Sequence, residues 1–194
     1  MTPQEFQAAM DYKDKSPQTR KMLAQTLLDH PILLATCFTI IAQQTPRAES
    51  RAAMLLEMAC KKKLKIIIPH LDEYFEVLPH LKGAGAIRSL AKIGELIILS
   101  NYMAHGEISL SRKQIDILRD CAFEWLITEQ KTAPQAHAMY ILFWIGITQP
   151  WIHEELKAII IKNMPHGSAG YIARGRNTLK GIESYNKSKN MGKI

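Results

Sequence analysis

The sequence has 194 residues, of which 47% are hydrophobic and 22% are charged, and this composition excludes a disordered chain. Its longest apolar stretch, residues 31–42, is too short to cross a bilayer, and the first residues lack the basic and apolar regions of a secretory signal. Three widely spaced cysteines indicate neither a disulfide framework nor a zinc site. We therefore expect a reduced, cytoplasmic protein without membrane contact, metal or cofactor.

The positive charge is concentrated at the C-terminal end. The formal net charge is +7, and the segment from Tyr171 to Ile194 holds six Lys or Arg against one acid, so it carries +5 of that charge. A local excess of this kind is typical either of a surface that binds a polyanion or of a solvated helix end. Because residues 185–194 are polar and basic, we expect them to form a flexible C-terminal tail.

Helix start signals recur from the first residues onward. Thr2 precedes a proline and is followed by Glu5, the arrangement of a capping box, and a cap residue precedes a proline again at 16–17 and 45–46. Ser111 and Gln114 form a second capping box. These signals predict helices that begin near residues 3, 17, 47 and 111.

Apolar residues repeat with helical spacing through the whole chain, and no segment has the pattern of a strand. Ile87, Leu90, Ala91 and Gly94 give one such stripe, with small residues on the packed face. Together the patterns predict an all-α protein with about ten helices. These span residues 3–14, 17–29, 32–43, 47–61, 64–81, 86–103, 111–130, 133–147, 150–163 and 168–184.

The helices are spaced as consecutive pairs. The second members begin near residues 47, 86, 133 and 168, which is the period of an α-solenoid. Ile87-Arg88 is followed by Ala91 and Leu96, and Pro69 lies in the preceding helix. In these residues the chain resembles the HEAT-repeat and related armadillo-like families. The resemblance implies a right-handed α-α superhelix of about five antiparallel helix pairs, forming a single domain over residues 1–184.

In such a stack the second helices line the concave face, so their polar stripes are the candidate binding surface. These stripes mix acids with bases, which favours a protein partner or plain solubility over a track for DNA. A cluster of lysines at the end of the helix 47–61 is either a solvated helix end or a phosphate-contacting patch. The candidate partner- or anion-binding residues are Arg51, Lys61, Lys62, Lys63, Arg88, Lys92, Arg174 and Arg176.

Two further features admit two interpretations each. The loop Gly167-Ser168-Ala169-Gly170 precedes a helix and the arginines 174 and 176, so it either holds an anion or is a turn capped by Ser168. Aromatic residues with helical spacing lie between Trp125 and Trp151, and they are predicted to form interhelical core, with base stacking as the alternative.

The predicted function is that of a non-enzymatic binding module whose concave surface contacts a macromolecular partner, most simply a protein. The alternative is a protein that binds the DNA backbone, related to HEAT-like DNA repair proteins. A third hypothesis, an adenylosuccinate lyase, is disfavoured because the signature loop of that family is absent. Residues 164–168, Met-Pro-His-Gly-Ser, contain similar pieces in another order and no lysine, and no catalytic residues are predicted.

Overall fold

A computed structural model describes residues 1–12, 16–128 and 131–191, without the side chain of Asn190. Within these ranges the chain forms α-helices and short 3₁₀ segments and no strand, which confirms the predicted all-α class. The α-helices are α1 (Pro3–Ala9), α2 (Pro17–Asp29), α3 (Leu33–Ala42), α4 (Pro46–Lys62), α5 (Leu71–Val77), α6 (Ala84–Tyr102), α7 (Arg112–Ile127), α8 (Thr132–Gly146), α9 (Trp151–Asn163) and α10 (Ala169–Met191).

The predicted capping boxes are present. At the start of α1 the Glu5 N–H donates to Thr2 Oγ1 (3.2 Å) and the Thr2 N–H donates to the Glu5 carboxylate (2.7 Å). Before α7 the Ser111 N–H donates to Gln114 Oε1 (3.0 Å), and the Gln114 N–H donates to Ser111 Oγ (3.3 Å). Thr45 is different, because its side chain makes no capping hydrogen bond and α4 begins with its proline alone.

The largest departure from the predicted helices is in residues 64–81. Instead of one helix, a 3₁₀ segment (Leu64–His70) precedes α5 and another (Leu78–His80) follows it. Each 3₁₀ segment contains a proline, Pro69 or Pro79, which lacks the N–H that a continuous α-helix needs there.

The chain ends also differ from the predictions. The first helix stops at Ala9 rather than near residue 14, and α10 continues to Met191 rather than ending near residue 184. The described part of the predicted tail is therefore helical. Parts of the predicted helices 3–14 and 111–130, and the last three residues of the chain, lie outside the described residues.

The chain divides into two compact units, Met1–Ile117 and Leu118–Ile194, and the single domain predicted over 1–184 stays a prediction. In the first unit the even-numbered helices α2, α4 and α6 pack against one another in chain order, and the odd-numbered helices α1, α3 and α5 do the same. The contact between α3 and α4 joins the two rows. Their shared core includes Phe6, Leu34, Leu56, Tyr74 and Leu90, all fully buried.

In the second unit α8 packs against both α9 and α10. The approach of α9 depends on Gly146, because a Cβ atom there would lie 2.1 Å from the His153 ring. The His153 Nε2 atom lies 2.8 Å from the Phe143 carbonyl oxygen, which fixes the buried ring in place.

Of the described helices, none alone has the length and apolar character needed to cross a membrane. Only α2 and α3 together pass that test by length and composition, and they are bent by 119° where they join.

Candidate functional site

The predicted polar stripes of α4 and α6 lie side by side and form what we call the α4–α6 face: Arg51, Glu57, Lys61, Arg88, Lys92 and Glu95. Arg88 Nη2 donates to Glu57 Oε2 (2.9 Å), and Lys61 Nζ lies 3.9 Å from the other oxygen of the same carboxylate. Lys92 donates to Glu95 (2.8 Å). The mixed charges predicted for these helices therefore pair with one another.

Arg51 belongs to the same helix but acts within the chain. Its guanidinium donates to the Met10 carbonyl (2.7 Å), the Asp11 carboxylate (3.1 Å) and the Tyr12 carbonyl, and it lies over the Tyr12 ring. Its side chain is only 14% exposed. This arginine, predicted as a binding residue, ties the segment after α1 to α4, and any contact with a partner stays a prediction.

The lysine cluster lies at the C-terminal end of α4. Lys61 and Lys62 occupy the last turn, where cations interact favourably with the helix dipole, and Lys63 follows as the exposed C-cap. Lys62 donates to Gln25 Oε1 (3.2 Å), and Lys65 pairs with Glu107 (3.5 Å). These contacts fit a solvated helix end that also links α4 to neighbouring segments.

The two arginines of α10 have different surroundings. Arg174 is half-buried and its guanidinium lies 5.7 Å from the centre of the Tyr140 ring. Arg176 is exposed, and helical spacing places Lys180 and Lys187 on the same side of α10, with Glu183 between them. We call these four residues the α10 basic face.

The tryptophans of the second unit divide between core and surface. Trp125 is buried, as predicted for interhelical core. Trp151 is 52% exposed, although it begins α9, and its ring stacks on Phe123 with a centroid distance of 5.9 Å. The Arg119 guanidinium lies 5.9 Å from the centre of the Trp151 ring.

The sequence did not predict the groove between α3 and α5. This α3–α5 groove encloses about 520 Å³ and has an apolar floor that includes Phe38, Ile41 and Val77. The missed signal is in α3, which is apolar almost all round yet leaves Ala42 exposed. The other residues that line the groove are Ala35, Thr39, Ala42, Gln44, Glu73, Glu76, His80 and Leu81.

The rim of the α3–α5 groove is acidic. Burial acts to raise the pKa of Glu73, but hydrogen bonds from the His70 ring (3.0 Å) and the backbone outweigh it and keep that pKa below its ordinary value. Glu73 is therefore ionised at neutral pH, and Glu76 beside it is exposed. No Lys or Arg of the described chain lines the groove.

The cysteines are buried thiols. Burial raises the pKa of Cys60 to about 12, and it raises that of Cys37, which lies close to Cys60, even further. Burial, with nearby Glu124 and Asp120, raises the pKa of Cys121 to about 12. Among the described residues no three His, Cys, Asp or Glu side chains come together as a metal site would require.

Comparison with known proteins gives no match, whether to family models, to curated proteins or to solved structures. The functional argument therefore depends on the residues and contacts described above.

Proposed function

We propose that this protein is a non-enzymatic, HEAT-like binding module and that its α3–α5 groove receives a basic amphipathic helix of a protein partner. The alternate packing of α2, α4 and α6 in one row and of α1, α3 and α5 in another supports a solenoid arrangement, in which pairs of helices stack in series. The right-handed superhelix of about five helix pairs is part of this proposal.

The groove itself is the observation that carries the proposal. An apolar floor between two helices fits the apolar side of an added helix, as in other helix-in-groove interactions. The Glu73 and Glu76 carboxylates on the rim favour Lys or Arg on the polar side of that helix. They also repel phosphate groups, so the groove favours a basic peptide over a nucleic acid.

The contacts of the α4–α6 face support the same choice. A DNA-binding surface needs cations that are available to phosphates, whereas Arg88 and Lys92 already contact carboxylates of their own face. The α3–α5 groove, with its apolar floor, lies outside that face.

The test uses the full chain and two synthetic helical peptides with the same leucine pattern, one with lysines and one with glutamates at the polar positions. We expect saturable binding of the lysine peptide, with NMR shift changes in residues 35–44 and 73–81. Glu76→Lys reverses a rim charge without touching the core, and we expect it to weaken binding about fivefold or more.

Glu155→Lys is the matched control, because Glu155 is an exposed acid on α9 outside the groove. The proposal fails if the glutamate peptide binds as well as the lysine peptide, or if Glu76→Lys and Glu155→Lys bind the lysine peptide equally.

A second candidate function, binding to the nucleic-acid backbone, is favoured by one observation, the α10 basic face. Arg176, Lys180 and Lys187 are exposed on one side of a helix of 23 residues, and Glu183 is the single acid among them. Such a side can follow several phosphates along a duplex.

This candidate predicts that a 20-base-pair duplex of arbitrary sequence binds at low salt and is released steeply as salt increases. Substituting Lys180→Gln and Lys187→Gln together should reduce the number of counterions released on binding by about two, as measured from the slope of the affinity against salt concentration. Substituting Lys82→Gln and Lys113→Gln, two exposed lysines elsewhere, is the control. Absence of binding at low salt would exclude this function.

A further inference from the structure

The last two α-helices of the second unit approach each other closely. Ser168 Oγ accepts a hydrogen bond from the Tyr171 N–H (3.2 Å), so Ser168 caps α10, as one interpretation of the preceding loop predicted. Gly175 then faces α9, where an added Cβ atom would lie 2.9 Å from Ile160. This close approach places the C-terminal end of α9 beside the first half of α10.

Apolar side chains are exposed where these two helices meet. Ile161 is 60% exposed, and Pro165 is exposed as well. These two residues and four others surround one open depression of about 400 Å³, lined by Ile161, Met164, Pro165, Ile172, Arg176 and Leu179. Five of the six are apolar, and contact with an apolar phase would remove them from water at a gain in free energy.

One side of α10 continues this apolar cluster and adds cations to it. Helical spacing places positions 172, 176, 179, 180, 183, 187 and 191 within about 120° of the helix circumference. The α10 basic face lies among them, together with three apolar residues. The last of these, Met191, is 70% exposed. At 1.5 Å per residue, the side from Ile172 to Met191 is about 28 Å long.

The charges beside the apolar residues are mainly positive. Lys162 follows Ile161 on α9 and is exposed. Glu154 lies two turns earlier on the same side of α9, where Lys157 donates a hydrogen bond to it (3.2 Å). On α10, Glu183 is outnumbered by the three cations of the α10 basic face. We call the depression, Lys162 and this side of α10 the α9–α10 surface.

We propose that the α9–α10 surface binds the face of a membrane that contains anionic lipids. Ile161 and Met191 enter the boundary between headgroups and acyl chains, while Lys162 and the cations of the α10 basic face contact lipid phosphates. A small apolar contact and an electrostatic attraction add to each other, so neither has to be strong alone. This activity does not depend on the α3–α5 groove or on its partner.

The arrangement favours a membrane over the nucleic acid considered above for the α10 basic face. A phosphate backbone gives no apolar contact to Ile161 or Met191, whereas a lipid surface accepts apolar and cationic side chains together. The exposed residues also extend along α10 instead of lining one groove, as the docking of a peptide helix requires. The sequence predicted no membrane contact, because apolar periodicity does not show which residues the fold leaves exposed.

The test measures co-sedimentation of the full chain with vesicles of phosphatidylcholine alone and with vesicles that also contain about 30% phosphatidylglycerol. We expect binding to the anionic vesicles to be about tenfold tighter or more, and to weaken as salt increases. Substituting Lys180→Gln and Lys187→Gln together should weaken it about tenfold. Substituting Lys82→Gln and Lys113→Gln, at two exposed lysines outside the α9–α10 surface, is the control.

Ile161→Ser tests the apolar contribution separately from charge. We expect it to weaken binding to the anionic vesicles about fivefold and to leave the Tm unchanged, because the side chain is mostly exposed. Ile32→Ser is the matched control, since Ile32 is 78% exposed and belongs to the first unit. Ile161→Ser should also leave any binding of the DNA duplex unchanged, because phosphates do not contact an apolar side chain favourably.

The proposal is overturned if the chain binds neither kind of vesicle at low salt, or if it binds both kinds equally. Equal losses for Ile161→Ser and Ile32→Ser would also overturn it, because binding would then not involve the α9–α10 surface. A chain that binds the duplex but not the anionic vesicles would assign the α10 basic face to nucleic acid instead.

Discussion

The α4–α6 face and the α3–α5 groove, both in the first unit, differ in how their acidic residues are paired. On the face, Glu57 and Glu95 pair with basic residues of the same two helices. On the rim of the groove, Glu73 contacts the His70 ring, Glu76 is exposed, and no Lys or Arg among the described residues lines the groove. The comparison teaches that a charge-rich surface can have its charges paired within the fold, while a groove with few charges can leave an acid available to a basic partner.

The largest effect should come from disrupting the packing beneath the α4–α6 face. Ala91 is fully buried in α6, so Ala91→Asp places a carboxylate in the core. We expect a loss of about 4 kcal/mol or more in the free energy of unfolding, measured by urea denaturation, or an insoluble product.

Ala84→Asp is the control for this change, because Ala84 is exposed in the first turn of α6 and an acid is favourable there. A stably folded Ala91→Asp variant with an unchanged Tm would show that Ala91 is not packed in the core beneath the α4–α6 face.

Arg51→Ala tests whether Arg51, a residue of the α4–α6 face, stabilises the fold. The change removes hydrogen bonds to the segment after α1, and we expect a loss of about 2 kcal/mol in the free energy of unfolding. Hydrogen exchange should quicken in residues 3–10. Arg47→Ala, at an exposed arginine of the same helix, should change neither quantity, and equal effects of the two variants would refute the structural role of Arg51.

Glu49 is a buried carboxyl of the first unit, and it pairs with no base among the described residues. Burial raises its pKa above the ordinary 4.5, although the Gly83 backbone N–H opposes the shift, and its Oε1 atom has no partner in the described structure. The folded protein therefore holds this proton more tightly than the unfolded chain, so its contribution to stability falls as pH rises through the folded pKa.

Glu49→Gln removes this titration. We expect the variant to be more stable than the parent protein at pH 8, with the difference disappearing by pH 4, as measured by the Tm across that range. A difference that stays constant with pH would show that Glu49 has the same pKa in the folded and unfolded states, and it would contradict the shift described here.

The smallest effect should be that of Arg174→Ala in the second unit. Its guanidinium is 5.7 Å from the Tyr140 ring centre, so the loss should be about 0.5 kcal/mol in the free energy of unfolding. A loss as large as that of Arg51→Ala would remove the contrast between these two arginines.

Local signals account for the helices that the sequence predicted correctly. The capping boxes at Thr2 and Ser111 depend on residues three positions apart, and such pairs can be recognised without knowing the fold. The breaks in residues 64–81 also have a local cause in Pro69 and Pro79, but their effect on helix type was missed.

The contacts that define the sites join residues far apart in the chain. Arg51 meets Asp11 across 40 positions, and Arg88 meets Glu57 across 31. The α3–α5 groove likewise exists only once two separate helices lie beside each other. No spacing rule could have paired these residues, and for this reason the sequence grouped Arg51 and Arg174 as equivalent binding candidates.

The buried cysteines can report when the folded chain opens, because alkylating reagents reach them only after opening. Thiolates react with alkylating reagents, and a pKa of about 12 for Cys60 and Cys121 leaves almost none at neutral pH. Labelling of these cysteines at neutral pH therefore requires the chain to open first. Since Cys60 lies in the first unit and Cys121 in the second, mass spectrometry of the labelled peptides would time the opening of each unit separately.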